Sequence, residues 1–147
     1  MNDLSTYSKT LDTGDFALLQ PEFGFLHYLQ GEGYTKQAAA GIVGNLQQES
    51  SLNPGAPGGG LAQWIGSRWT ALVAFAGQVG LSPHSAEGQF AFLTHEIDTS
   101  YPGLKAQLNA ASTPGEAATI FSNVYERPGI PALPNRIAYA NAAYNGS

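Results

Sequence analysis

The chain has no cysteine. That absence excludes disulfide frameworks, cysteine-ligated zinc and thiol nucleophiles together. It assigns no compartment, because a cysteine-free protein folds equally well in oxidising and reducing surroundings. Charge is also scarce: Asp, Glu, Lys and Arg make up 12% of the sequence, about half the usual share. The surface must therefore be built largely from Asn, Gln, Ser, Thr and Gly. Six basic residues face eleven acidic ones, a formal charge of −5, and no run of Lys and Arg occurs. A nucleic-acid footprint needs such a cluster, so nucleic acid is excluded as a partner. No stretch approaches the ~20 apolar residues of a membrane span. Met1-Asn2-Asp3-Leu4-Ser5 lacks the basic and apolar regions of a signal peptide, so delivery beyond the cytoplasm is expected to depend on something else. His27, His84 and His95 lack the i, i+4 pairing of a zinc helix, and no G-x-S-x-G occurs. Neither a metal site nor a cofactor is expected, and a peptidase reading has no support.

What remains fits one domain of ordinary size: 147 residues can bury about 70% of their unfolded surface. Residues 1–14 are polar and unpatterned up to Gly14, which reads as a linker or arm before a folded domain over 15–147. Within that domain, Pro and Gly punctuate short helices. Pro21 opens the first, which stops at Gly31. Thr35 caps a second over Lys36 to Glu49, with Ala38, Ile42 and Leu46 recurring at helical spacing. Residues 50–60 are too rich in Gly and Pro to continue it. Ser67 caps a third that stops at Gly80, and Pro83 or Ser85 starts a fourth with Phe90, Leu93 and Ile97 on one face. A short fifth runs from Pro102 to Ala110. Thr113-Pro114-Gly115-Glu116 is a capping box with proline at the first helical position, opening a sixth through Phe121 and Val124 to Arg127. Pro134 opens the last. Nothing alternates with period two for long enough to demand a strand. The expectation is a mainly α domain of about seven short helices, without internal repeats.

Glu49 is the residue where chemistry is first expected. It follows Ile42 by seven positions and Leu46 by three, which turns it toward the apolar stripe. It also lies in the last helical turn, where the helix dipole disfavours a carboxylate. Both effects raise a carboxyl pKa, as a general acid at neutral pH requires. The Gly/Pro-rich loop that follows lets a large ligand approach the backbone closely. Beyond it come Gly60-Leu61-Ala62-Gln63-Trp64: an amide able to bond hydroxyls or an acetamido group, and an indole able to stack on a sugar ring. The plainer alternatives are a solvated Glu49 at a frayed helix end and a Trp64 that belongs to the core.

These residues carry a resemblance. Gly41-Ile42-Val43-Gly44-Asn45-Leu46-Gln47-Gln48-Glu49-Ser50-Ser51-Leu52-Asn53-Pro54, with Gly59-Gly60-Leu61-Ala62-Gln63-Trp64, resembles the phage tail lysozyme family, murein-degrading domains of tail proteins and endolysins. The E-S…N-P…G-L-x-Q arrangement is also similar to soluble lytic transglycosylases. Flanking segments extend the likeness over about residues 22–145: Phe25 to Tyr34, Gln89 to Ile97 as Q-x-x-F-L-x-x-E-I, and Phe121 to Pro128 as F-x-x-x-Y-E-R-P. The resemblance implies a lysozyme-like, α+β-type bundle around a substrate cleft. It implies cleavage of the β-1,4 bond between N-acetylmuramic acid and N-acetylglucosamine, with bacterial peptidoglycan as partner. Glu49 matches the glutamate that protonates the leaving glycosidic oxygen, Ser50 supports that helix end, and Gln63 matches a substrate-contacting glutamine. Ala62 stands where a bulky Met is common, which bears on sugar placement.

A second carboxylate is harder to assign. Retaining hydrolases hold their two carboxyls about 5 Å apart and inverting ones about 6.5–9.5 Å, whereas a transglycosylase needs one, the substrate's C6 hydroxyl being the nucleophile. Glu126 ranks first by its place in Y-E-R-P, its alternative being an ion pair with Arg127 or Arg136. Glu96 flanks the core, as a substrate contact or as a structural acid with a backbone or Arg partner. Glu32, between two glycines, reads as solvated. Tyr125, Tyr139 and Tyr144 are aromatic candidates for a sugar cleft or for half-buried packing, Tyr125 being the one placed at the site. The leading reading is a phage murein glycosidase acting in a virion tail or, as an endolysin, from the host cytoplasm on the wall. The competing one is a wall-binding or tail module that kept the fold without the activity. Anionic walls repel a charge of −5, so targeting is expected from other domains of a larger protein.

Overall fold

The computed structural model describes residues 21–147; the arm expected over residues 1–14 lies outside them. Seven α-helices follow one another: α1 (Pro21–Gly31), α2 (Lys36–Ser50), α3 (Ser67–Val79), α4 (Ala86–Ser100), α5 (Leu104–Ala110), α6 (Pro114–Phe121) and α7 (Leu133–Gly146). Between α6 and α7, Ser122–Glu126 form a π-helical turn. No strand occurs among the described residues, and no described helix is long and apolar enough to cross a membrane.

The starts follow from capping. Thr35 Oγ1 accepts from the Ala38 amide at 3.1 Å, Ser85 Oγ from Gly88 at 3.0 Å, and Thr113 Oγ1 from Glu116 at 3.1 Å, each satisfying an amide the helix leaves free. Besides one-residue shifts at the end of α2 and the start of α7, three boundaries differ from expectation. Ser67 is the first residue of α3 rather than its cap, because Gly66 takes that place at φ 58°. α5 begins at Leu104, after Gly103 turns at φ 89°. The sixth helix leaves α geometry at Phe121 and ends when Arg127 adopts φ 45°.

α2 is the central element, packed against α1, α6 and α7. Ala38, Ala39, Ile42, Val43 and Leu46 are buried on it. Its close neighbours are possible because Gly41 and Gly44 lack side chains. A Cβ on Gly41 would stand 2.6 Å from Ala117 Cβ and the Ala118 nitrogen, and one on Gly44 2.6 Å from the Ala140 nitrogen and the Arg136 carbonyl oxygen. Gly44→Ala is therefore expected to destabilise by about 1–3 kcal/mol, although alanine ordinarily stabilises a helix interior by about 1 kcal/mol. Thermal melts of the two proteins check the sign. An unchanged or higher midpoint would mean that α7 is not pressed against α2.

Candidate active site

α2 delivers Glu49 to the edge of the core, its side chain 15% exposed. Immediately beyond, Ser51 and Leu52 adopt φ 54° and 60°, reversing the chain sharply. The other non-glycine residues at positive φ among those described are Gln63, Arg127 and Ala132. All five lie within four residues of Glu49, Gln63, Glu126 or Arg136. Backbone strain of this kind collects at functional sites, as do π-helical turns.

Glu49 has two partners from the far end of the chain. Arg136 is 1% exposed, and its Nη2 donates to Glu49 Oε1 at 3.4 Å. Its Nη1 donates to Asn45 Oδ1 at 3.0 Å and its Nε to the Pro131 carbonyl at 2.6 Å. Asn45, itself buried, donates to the Gly41 and Ala118 carbonyls at 2.9 and 3.0 Å. The close helix crossings at Gly41 and Gly44 thus fix Asn45, Asn45 fixes the guanidinium, and the guanidinium holds Glu49.

The second partner is Glu126, in the π-helical turn. Its carboxyl is pushed well above the ordinary value, chiefly by burial, then by the charge of Glu49 and a hydrogen bond to it, with Arg136 and Arg68 opposing. Its Oε1 is buried and finds no partner among the described residues. A neutral carboxylic acid donating to the Glu49 carboxylate fits both observations. The competing reading of Glu126, an ion pair with Arg127 or Arg136, does not hold: Arg127 is exposed and Arg136 bonds Glu49 instead. Glu126 stands within hydrogen-bonding reach of Glu49, closer than the ~5 Å that separates the two carboxyls of a retaining pair.

This carboxyl makes stability depend on pH. A folded-state value above the unfolded 4.5 means a contribution fully present at lower pH and lost as pH rises through the folded value. Glu126→Gln keeps the shape and has no proton to lose, so thermal melts over about pH 4 to 9 should show a flatter decline than the wild type. Parallel curves would mean that Glu126 ionises as freely in the folded chain as in the unfolded one.

Trp64, Tyr125 and Glu96 are placed differently from their substrate-binding assignments. Trp64 and Tyr125 are each 1% exposed, so neither presents a face to a sugar. Trp64 Nε1 donates to Tyr125 Oη at 2.9 Å, and Tyr125 Oη donates to Glu96 Oε1 at 2.6 Å. Burial, with the charge of Glu96 second, pushes the Tyr125 phenol well above its ordinary range, which keeps it a donor. Arg68 completes the group, bonding Glu96 Oε1 at 2.7 Å and covering the Tyr125 ring at 4.7 Å. Glu96 is therefore a structural acid, the weaker of the two readings' claims on it being the substrate contact. This network ties the loop, α3, α4 and the π-helical turn together beside Glu126. Ser50, expected to support the helix end, is buried, and its Oγ donates to the Leu46 carbonyl at 3.0 Å. Gln63 is half-buried, its Nε2 bonded to the Gly60 carbonyl at 2.8 Å. Glu32 sits at the opposite end of α2, about 20 Å of helix from Glu49, with its carbonyl bonded to Lys105 Nζ. Tyr144 is half-buried with the Lys36 ammonium 4.4 Å from its ring centroid, and Tyr139 is 40% exposed.

Three contributors lie outside the expected set. Asn45 had a signal, a polar residue on the apolar face four after Gly41. Gln89 is buried and pins the loop, accepting from the Leu61 amide at 2.8 Å and donating to the Pro54 and Pro83 carbonyls at 2.9 and 3.0 Å. Arg68 gave no signal of its own.

A family model described as phage tail lysozyme matches residues 24–146. Morphogenesis protein 1 of Bacillus phage B103 is 31% identical over 128 residues, covering 76% of this chain and 34% of that protein. The chain spans about a third of the length of this relative. On the family match, which takes in every residue of the carboxyl site, the chain belongs to the phage tail lysozyme family.

Proposed function

We propose that the domain cleaves the β-1,4 bond between N-acetylmuramic acid and N-acetylglucosamine in peptidoglycan, with Glu49 as the proton donor. The observation that carries this reading is the carboxyl pair: a partly exposed Glu49 backed by Glu126, whose carboxyl is pushed well above the ordinary range by burial and by the charge of Glu49. Glu126 is thus the member that stores the proton. A glycosidic oxygen draws that proton through Glu49, the member facing solvent, while Glu126 passes its own to Glu49. Arg136 stabilises the negative charge left behind, which is greater after transfer than before and so favours the transition state. The attacking hydroxyl then returns a proton to Glu49, which restores the pair. Gln63 positions the acetamido group.

A second reading of the same site, a lytic transglycosylase, is favoured by one specific observation. Glu126 is spent on Glu49 rather than set across the ring, so the attacking group on offer is the substrate's own C6 hydroxyl. Mass spectrometry of fragments released from purified peptidoglycan separates the two: anhydro-muramic ends mean transglycosylation, and reducing muramic ends mean hydrolysis. Absence of fragments from folded wild-type protein would leave a wall-binding or tail module. Because the relative is named a morphogenesis protein, the domain is read as carried in the virion and acting on the wall from the tail, rather than as a released endolysin.

A further inference from the structure

Two guanidinium groups bear on Glu126, Arg136 from α7 and Arg68 from α3. Arg136 uses all three of its nitrogens, on Pro131, Asn45 and Glu49. Arg68 does not. Its Nη2 bonds Glu96 Oε1 at 2.7 Å, whereas its Nε is buried and has no hydrogen-bond partner among the described residues. Buried donors are seldom left in this state, and this one belongs to a group that stays charged at every working pH.

Its neighbours fix where Arg68 sits. The guanidinium carbon lies 4.7 Å from the centroid of the Tyr125 ring, and Tyr125 directly precedes Glu126 in the π-helical turn. The Tyr125 hydroxyl donates to the same Glu96 oxygen at 2.6 Å and accepts from Trp64 at 2.9 Å. The ring packs against Tyr101 and Phe121, with centroids 5.2 and 4.7 Å away. Tyr125 thus couples the position of the guanidinium to that of the next carboxyl along the chain.

The proton relay has a use for such a cation. Handing a proton to Glu49 turns Glu126 into an anion, which its burial disfavours, and Arg136 is bonded to Glu49. We propose that Arg68 is a positioning residue of the carboxyl pair: a cation that Glu96 and Tyr125 hold beside Glu126, where it stabilises the carboxylate left when Glu126 gives its proton to Glu49. This inference rests on the reading of Glu126 as the proton store of a glycosidase.

The test follows the Glu126 carboxyl carbon by ¹³C NMR over pH in the full chain labelled at glutamate, Glu126→Gln identifying the signal by its loss. The groups that act on it are Glu49 from α2, Arg136 from α7 and Arg68 from α3, with Glu96, Tyr125 and Tyr101 acting on Arg68. Arg68→Gln removes the charge, and Glu126 is expected to titrate about one pH unit higher. Glu96→Gln removes the anion that occupies Arg68 and should move Glu126 the other way. Arg68→Lys keeps the charge and should return the midpoint toward the wild type. Cleavage by Arg68→Gln at neutral pH should fall about tenfold, the factor that one unit represents. If Arg68 only braced the fold, both glutamine variants would admit water and lower the Glu126 midpoint. A lower or unchanged midpoint in Arg68→Gln therefore overturns the proposal. Should that variant fail to fold with Glu96 left unpaired, Arg68→Gln combined with Glu96→Gln leaves no lone charge behind. Glu126 must then titrate higher than in Glu96→Gln alone, and an equal or lower midpoint overturns the proposal. The expected shifts in a protein that leaves peptidoglycan uncut keep Arg68 as the partner of Glu126 and remove the glycosidase. Cleavage without these shifts removes Arg68 alone.

Discussion

Glu49→Gln is expected to reduce glycan-strand cleavage by about 10²- to 10⁴-fold, the ordinary contribution of a positioned general acid. Glutamine keeps the length and planarity of the side chain, and its carbonyl oxygen can still accept from Arg136 Nη2, now 3.4 Å from Glu49 Oε1. What it removes is the negative charge and with it the group that relays the proton to the glycosidic oxygen. Losing that charge also withdraws the counterion of a buried guanidinium, at a cost of about 1–3 kcal/mol, so the variant should melt earlier yet remain folded. Cleavage assays on protein verified as folded by circular dichroism separate the two effects. Retention of more than a small fraction of wild-type activity would remove Glu49 from the reaction.

The second large effect is on stability. Arg136→Met preserves much of the side-chain volume and deletes every donor that Arg136 uses. Asn45 Oδ1, the Pro131 carbonyl and Glu49 each lose a partner, and the first of these is deep in the core. Breaking a buried charged pair from one side costs about 3–5 kcal/mol, or a drop in melting midpoint of about 10 °C. Arg136→Lys should recover only part of it, since an ammonium cannot serve these separate acceptors with a planar fork. A methionine variant that melts within a degree or two of wild type would mean that the guanidinium is incidental to the α2–α7 crossing.

The parts of the fold legible in the sequence are those set by neighbours along the chain. Thr35 and Thr113 cap helices through amides three residues on, and Gly80 stops α3 in the left-handed conformation only glycine adopts easily. Family motifs likewise led to Glu49 and Glu126 as the carboxyls to consider. What was not legible depends on residues far apart in sequence. The Arg136–Glu49 bond spans 87 positions, and no local pattern announces it. Trp64 and Tyr125 are aromatic residues whose type suits a sugar platform and a core equally well. A bond across 61 positions decides for the core. The π-helical turn has the same origin: the capping box specifies where α6 begins, whereas the change of register after Phe121 answers to the packing around Tyr125. Helix position points to Glu49 as the carboxyl to be raised, whereas burial pushes up its partner, Glu126, which no local pattern singles out for that role.

The account turns on a proton held by this pair and delivered to a glycosidic bond. The most direct measurement is the pH dependence of glycan cleavage on peptidoglycan stripped of its stem peptides, for wild type and Glu126→Gln. The account predicts that wild type cleaves bare strands and loses activity on the alkaline side above the ordinary carboxyl value of 4.5. It predicts that the variant's alkaline limb moves toward acid, because Glu49 no longer shares a proton with its neighbour. Superimposable profiles, or a wild type that releases no new glycan ends at any pH, would contradict it.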